Sequence, residues 1–204
     1  MSIPYIKCVL VGDDAVGKTC LLIKKACGEF HQSYIPRNYD DHYSMLVDVQ
    51  KAKYELRLIE THDQEIDKIL RKLIYPGTSV FMLCFAVDQR SSFDSVAEKW
   101  VPHIKEMCPV VPILLVGCQI DVRTSSSVSS TTYSEGEALA RKIGAVAYME
   151  CSACDNTGVD AVFDRAAQIA AGTKTKKLCS VMGNETCPAV VPRDVRAQRH
   201  YEPA

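Results

Sequence analysis

Residues Gly12-Asp13-Asp14-Ala15-Val16-Gly17-Lys18-Thr19 satisfy the pattern G-x-x-x-x-G-K-[ST]. Such a loop turns its backbone N–H groups, and the N-terminus of the helix after it, toward phosphate oxygens. Lys18 would reach the β and γ oxygens, and the Thr19 hydroxyl would suit Mg²⁺. A second cluster, "LIETHDQE" at 58–65, gathers Glu60, Asp63 and Glu65 around His62. By itself it reads as a metal site, an acid–base pair or a charged loop. Glu60 and His62 alternate and would share a face, yet no further His, Asp or Glu set lies nearby in sequence to complete a metal shell. A third, Cys151-Ser-Ala-Cys154, has redox or half-zinc spacing, but no second pair with ligand spacing follows it.

These residues need elements to hold them. Strand-like runs fall at 5–11, 43–49, 53–59, 79–86, 111–117 and 146–150. Helical patterns fall at 17–26, near 66–73, and at 91–106, 133–143 and 157–171. Strands alternating with helices predict an α/β fold, a mostly parallel six-stranded sheet with helices on both faces. "VFMLCF" and "PILLVG" are apolar without alternation, as central strands of such a sheet are. The phosphate loop then follows the first strand and opens the first helix, the context that its chemistry requires.

A chain of 204 residues suits one domain, expected over 1–172, with a flexible tail over 173–204 where Lys, Pro, Gly and Arg take over. A formal net charge of −1 gives no footprint for nucleic acid. No apolar run has the length of a membrane span, and "IKCVLVG" is too short for a signal peptide. Cytoplasmic placement is therefore expected, and the ten cysteines, several in apolar strands, are expected to be reduced and structural. Asn184-Glu-Thr186 matches a glycosylation sequon, which has no weight without a secretory signal.

Two later segments choose among phosphate-loop proteins. "LLVGCQID" closes the fifth strand and supplies Asp121; "MECSA" closes the sixth and supplies Ser152 and Ala153. With "IKCVLVGDDAVGKTCLLI", "YIP", "IYPGTSVFMLCF", "SSFDSVAEKWVPHIKEMCP", "VPILLVG" and "IGAVAYMECSA", the chain resembles small GTPases of the Ras superfamily, and among them the Rho family, over residues 5–171. The resemblance implies the P-loop small-GTPase fold, GTP or GDP with Mg²⁺, and a switch in signal transduction. Gly17, Lys18 and Thr19 would hold phosphate and magnesium, and Phe30 would stack against the guanine. Asp121 would accept from the guanine ring N–H and exocyclic amine, and the Ala153 N–H would meet the guanine carbonyl. Asp14, Ala15, Val16, Cys20, Cys118, Gln119 and Ser152 complete the implied nucleotide set. Gln64 stands where the family's water-positioning glutamine stands, so Gln64 and Lys18 are the implied catalytic pair. Glu60 would hold the metal through water. Effectors, exchange factors and GTPase-activating proteins are the implied partners.

Several departures fall on nucleotide contacts. Asp14 replaces a glycine and brings negative charge toward a triphosphate. It also crowds the space of an arginine finger, a contribution of roughly 10³–10⁵ in rate. Arg37 and Asn38 follow "YIP" where a threonine ligates Mg²⁺. Gln119 replaces a lysine whose stem lies over the base. The polar stretch 122–135 is shorter than a Rho-type helical insert. The cluster at 58–65 occupies the second switch: Glu60 stands for an aspartate, moving the charge by about 1.5 Å. His62 stands for an alanine and Asp63 for a glycine. Arg37 is expected to pair with Asp14 or Asp63. Three readings remain open: a working Rho-like switch, a nucleotide-loaded module with slow hydrolysis, and a pseudo-GTPase whose surface alone binds partners.

"KTKKLCSVM" at 174–182 looks like a basic stretch and a prenylation box, Cys179-Ser-Val-Met182. Because 22 residues follow it, the chain as written is not expected to be an acceptor. Membrane contact is then weak, on the order of 1 kcal/mol per lysine, and placement at the inner face of the plasma membrane would be peripheral.

Overall fold

The computed structural model describes residues 3–30, 42–61, 65–123 and 130–182. Arg37, Asn38, Asp41, His62, Asp63 and Gln64 lie outside these, as does the residue pairing expected of Arg37. Six strands form one sheet: β1 (Tyr5–Val11), β2 (His42–Val49), β3 (Ala52–Glu60), β4 (Val80–Ala86), β5 (Ile113–Cys118) and β6 (Ala147–Glu150). Their order is β2-β3-β1-β4-β5-β6. Only the β2–β3 pair is antiparallel; β1–β3, β1–β4, β4–β5 and β5–β6 are parallel. The two apolar runs become β4 and β5, whose residues are all buried. Each is covered on both faces, so neither has a solvent side on which polar residues would alternate.

Chain alternation along β1 divides the core. Cys8 and Leu10 pack on one face with Leu21 and Leu22 of α1 (Lys18–Cys27) and with Val162, Phe163 and Ala166 of α6 (Val159–Met182). Val9 and Val11 pack on the other face, with the helices between β4 and β6. These are α3 (Arg90–Ser95), a π-helical turn (Val96–Trp100), α4 (Val101–Met107) and α5 (Tyr133–Ile143). Between β3 and β4 runs α2 (Glu65–Ile74). Because β3 and β4 flank β1, the crossover direction reverses at its carboxyl end. Open parallel sheets bind ligands in the crevice at such a point, and the phosphate loop leaves the sheet there.

Two helices differ from expectation. The helix expected at 91–106 is broken by the π turn, in which the Val101 N–H bonds to the Val96 carbonyl, five residues back. Pro102 is the cause: it has no N–H to give to Glu98, and its ring clashes with the Glu98 carbonyl. The last helix does not stop near 171 but continues to Met182, so the boundary expected at residue 172 falls inside it. The apolar periodicity fades there, but no proline or glycine interrupts 173–182, and Lys, Leu and Met are good helix formers.

Between the short turn at Ile120–Val122 and α5, residues 124–129 lie outside the described residues. The ends of that stretch are tied together. Arg123 donates to both carboxylate oxygens of Glu150 at 2.8 and 2.7 Å, and to the Thr131 carbonyl at 2.8 Å. A bidentate pair of this kind fixes orientation as well as distance. No helix among the described residues is long and apolar enough to cross a membrane.

Candidate functional site

The phosphate loop links β1 to α1 through backbone that few residues tolerate. Gly12 has φ 146°, and a Cβ there would lie 2.2 Å from the Cys84 carbonyl oxygen of β4. Gly17 caps α1 at φ 101°. Ala15, between them, takes φ 63° despite its side chain, a conformation that costs energy and collects at functional sites. Val16 is fully buried, so its side chain anchors the loop and only its main chain is open to a phosphate. Asp14 and Ala15 are exposed.

Lys18 is 3% exposed. Its ammonium donates to the carbonyls of Gly12 at 2.9 Å and Asp13 at 2.7 Å. An ammonium has three protons, so one remains for an anion after these two bonds. The backbone bonds fix where that charge stands.

Next to it, the Thr19 hydroxyl donates to Glu60 Oε1 at 2.8 Å, and Glu60 is buried at 6% exposure. A hydroxyl that donates its proton keeps its lone pairs. Thr19 and Glu60 therefore present hard oxygen donors and a negative charge together, a donor set that fits Mg²⁺. The Glu60 charge, after burial, raises the Cys20 thiol above its ordinary pKa. Glu60 sits at the last position of β3. Thr61 follows it, its N–H and hydroxyl both bonded to the Leu10 carbonyl at 3.1 and 3.0 Å. That double bond sets the end of β3 against the root of the phosphate loop. Of the Glu60, His62 and Asp63 cluster, His62 and Asp63 lie outside the described residues; among the described residues no group of three or more His, Cys, Asp or Glu could hold an ion.

At the other end of the crevice, Gln119 donates through Nε2 to the Ala15 carbonyl at 2.8 Å. Gln119 also has positive φ, 63°, so two residues in the left-handed region are joined to each other across 104 positions of chain. Two residues on, Asp121 Oδ1 accepts from the Ser152 hydroxyl at 2.6 Å. Ser152 is fully buried and itself accepts from the N–H groups of Cys154 at 3.2 Å and Asp155 at 3.3 Å. The bond orients the Asp121 carboxylate and leaves lone pairs free. Cys118 ends β5, and Cys151 directly follows the neighbouring β6. Hydrogen bonding with Cys151 and Cys84, and then burial, raise the Cys118 thiol well above its ordinary pKa.

A cavity of about 360 Å³ opens between these segments, within the range of small-molecule sites. Of the residues expected to bind nucleotide, Gly17, Cys20, Phe30, Cys118, Gln119, Asp121 and Ala153 line it. Ser152 stands behind Asp121. Lys18 and Thr19 lie at the phosphate-loop end. Those seven, drawn from stretches more than a hundred residues apart, meet in one crevice at the carboxyl edge of the sheet, while Asp14, Ala15, Val16, Lys18, Thr19 and Ser152 do not line it. Gln64 is outside the described residues. Leu21, Val122, Cys151 and Cys154 also line the cavity but were not among the expected binding residues. Only the Cys151-x-x-Cys154 spacing marked any of them, and it suggested redox chemistry instead. Asp13 was missed as well. Its carboxylate accepts from the Trp100 indole at 2.9 Å and Lys99 at 3.2 Å. Burial pushes that carboxyl up, but bonds from Ser95, Trp100 and Lys99 outweigh it and hold its pKa below the ordinary value.

A family model described as Ras family matches residues 7–171 of the chain.

Proposed function

This chain belongs to the Ras family, and from that premise we propose that it is a Rho-like guanine-nucleotide switch whose crevice holds GTP or GDP with Mg²⁺ and whose hydrolysis of GTP is slow. The observation that carries this reading is the cavity lined both by Gly17 of the phosphate loop and by Asp121, the partner of Ser152. A carboxylate is acceptor-only. Guanine offers it two adjacent donors, ring N1–H and the exocyclic amine, where adenine offers a ring acceptor and no such pair. Asp121, oriented by Ser152, is thus the guanine selector, and Phe30 and Gln119 border the space that the base and ribose fill. Lys18 binds the β and γ oxygens with its remaining proton. Thr19 and Glu60 would hold the metal, which would supply positive charge beside those phosphates.

Slow turnover follows from charge. Asp14 adds a carboxylate at the phosphate loop, where hydrolysis builds up negative charge and a partner's arginine would approach. Gln64 keeps the position of the water-orienting glutamine, but its neighbours His62 and Asp63 are altered. The Rho-like motifs support effectors, exchange factors and GTPase-activating proteins as partner classes.

The test is to denature freshly purified protein, identify the released nucleotide and follow single-turnover hydrolysis with and without Mg²⁺. GTP with little turnover is expected. GDP with brisk turnover would contradict the slow-hydrolysis part. An empty pocket that cannot be loaded would contradict the whole reading and favour a pseudo-GTPase.

A further inference from the structure

The spacing Cys151-Ser-Ala-Cys154 suggests thiol chemistry, and the fold gives Cys151 a partner other than Cys154. Strands β5 and β6 run parallel with Gly117 opposite Glu150. The Cys151 N–H extends that ladder by bonding to the Gly117 carbonyl at 2.9 Å. Cys118 and Cys151 are therefore the next residues side by side. Neighbouring strands stand about 4.8 Å apart, inside the Cα separation of roughly 4.4–6.8 Å that a disulfide spans. Both thiols are free, 3% and 1% exposed, and they share one face of the sheet. Cys84 is on that face too, but it stands opposite Val116, two residues back from Cys118. Such an offset makes a diagonal of about 8 Å, too long for a disulfide without backbone movement. Of these three cysteines, only Cys118 and Cys151 line the nucleotide crevice.

We propose that Cys118 and Cys151 form an oxidation site, a dithiol that hydrogen peroxide entering the empty crevice closes to a disulfide. The proposal rests on the guanine-nucleotide reading above for what otherwise fills the crevice. The thiolate is the nucleophile in such chemistry. Cys118, hydrogen-bonded with Cys151, keeps its proton beyond the ordinary range, so the Cys151 sulfur attacks. The O–O bond breaks, the departing hydroxide takes the Cys151 proton as water, and Cys151 becomes a sulfenic acid. The Cys118 sulfur then attacks the Cys151 sulfur. The S–O bond breaks, and hydroxide leaves with the Cys118 proton as a second water. Two thiols lose two electrons, and one peroxide is reduced to two waters. The crevice that the two sulfurs line is their way to solvent, and a base seated against Asp121 and the Ala153 N–H covers it. Closure joins the two segments that address the base, because Cys118 precedes Gln119 and Asp121 while Cys151 precedes Ser152 and Ala153. The site thus responds to an empty crevice.

The test uses the full chain, freed of nucleotide or loaded with GDP, treated with hydrogen peroxide and mapped by mass spectrometry for linked peptides. In the empty protein the peptides carrying Cys118 and Cys151 should be joined, and dithiothreitol should separate them. GDP at about a hundred times its Kd leaves about one crevice in a hundred empty, so the link should form about a hundredfold more slowly. Cys84→Ala should keep both the link and its protection. In Cys118→Ser, Cys151 should stop at the sulfenic acid, trapped by dimedone. Oxidation confined to Cys20, Cys27 or Cys154, with no link between Cys118 and Cys151, would overturn the proposal. So would a link that forms equally fast while GDP is bound. If titration shows that GDP does not bind, the guanine reading fails by itself, and the link in the empty protein still decides for or against the dithiol.

Discussion

At the scale of single residues, the site works by holding charges and dipoles where backbone geometry puts them. Gln119 stands where the family resemblance implies a lysine, and its amide ties the base-side loop to the phosphate loop, through the Ala15 carbonyl at 2.8 Å. It no longer brings a cation near the nucleotide. Gln119→Ala should remove that tie and free two segments already held at positive φ, at Ala15 and Gln119. One net hydrogen bond is worth about 1 kcal/mol, so nucleotide release should accelerate about fivefold, read by displacement of a fluorescent GDP analogue. An unchanged rate would mean that the bond does not hold the loop. Asp121 and Ser152 form the complementary case, a pair whose types match the pattern and whose bond at 2.6 Å links the two base-side segments.

At the scale of elements, turns and caps decide how those residues are presented. Helix α5 starts with a capping box: the Thr132 side chain accepts from the Glu135 N–H, and Glu135 returns a bond to the Thr132 N–H. The Thr132 backbone bond, followed by Arg90 and the Thr132 hydroxyl, brings the Glu135 carboxyl down to about 2. A depressed folded pKa stabilises in full where the carboxylate is ionised in both states, and in part between the two pKa values. The contribution should be whole above the ordinary carboxylate range and lost as pH falls toward about 2. Glu135 is largely exposed, so its size is that of a cap, about 1 kcal/mol. Urea melts of wild type and Glu135→Ala should differ by about that much at pH 6 and converge near pH 2. A difference independent of pH would contradict the cap's ionic character. These elements were unequally legible in the sequence. Strands β4 and β5 showed as unbroken apolar runs because both of their faces are covered. Helix α5 was bounded correctly because cap chemistry is local. The π turn was not visible, since Pro102 shifts hydrogen bonds by one residue without altering the apolar period. The end of α6 was misplaced because composition signals solvent contact and not helix termination.

At the scale of the whole molecule, the sheet order makes one crevice out of distant segments. Strand β1 lies between β3 and β4, which puts the phosphate loop beside Glu60 of β3. The neighbouring carboxyl ends of β5 and β6 bring Asp121 against Ser152. The site's ingredients were legible as motifs, because phosphate-loop chemistry and base-side contacts demand particular residue types at fixed spacings. Their cross-links were not: Gln119 to Ala15, Thr19 to Glu60 and Asp13 to Trp100 depend on three-dimensional register that no local pattern carries. The central claim is that this crevice selects guanine through Asp121. Its most direct test is titration of nucleotide-free protein with GDP and with ADP in Mg²⁺, for wild type and Asp121→Ala. Rejection of a ligand that leaves buried hydrogen-bonding groups unpaired reaches about 10⁴-fold. The wild type should prefer GDP by about that factor, and the variant should lose most of the preference while remaining folded. Equal affinity of the wild type for GDP and ADP, or a preference that survives Asp121→Ala, would contradict the account.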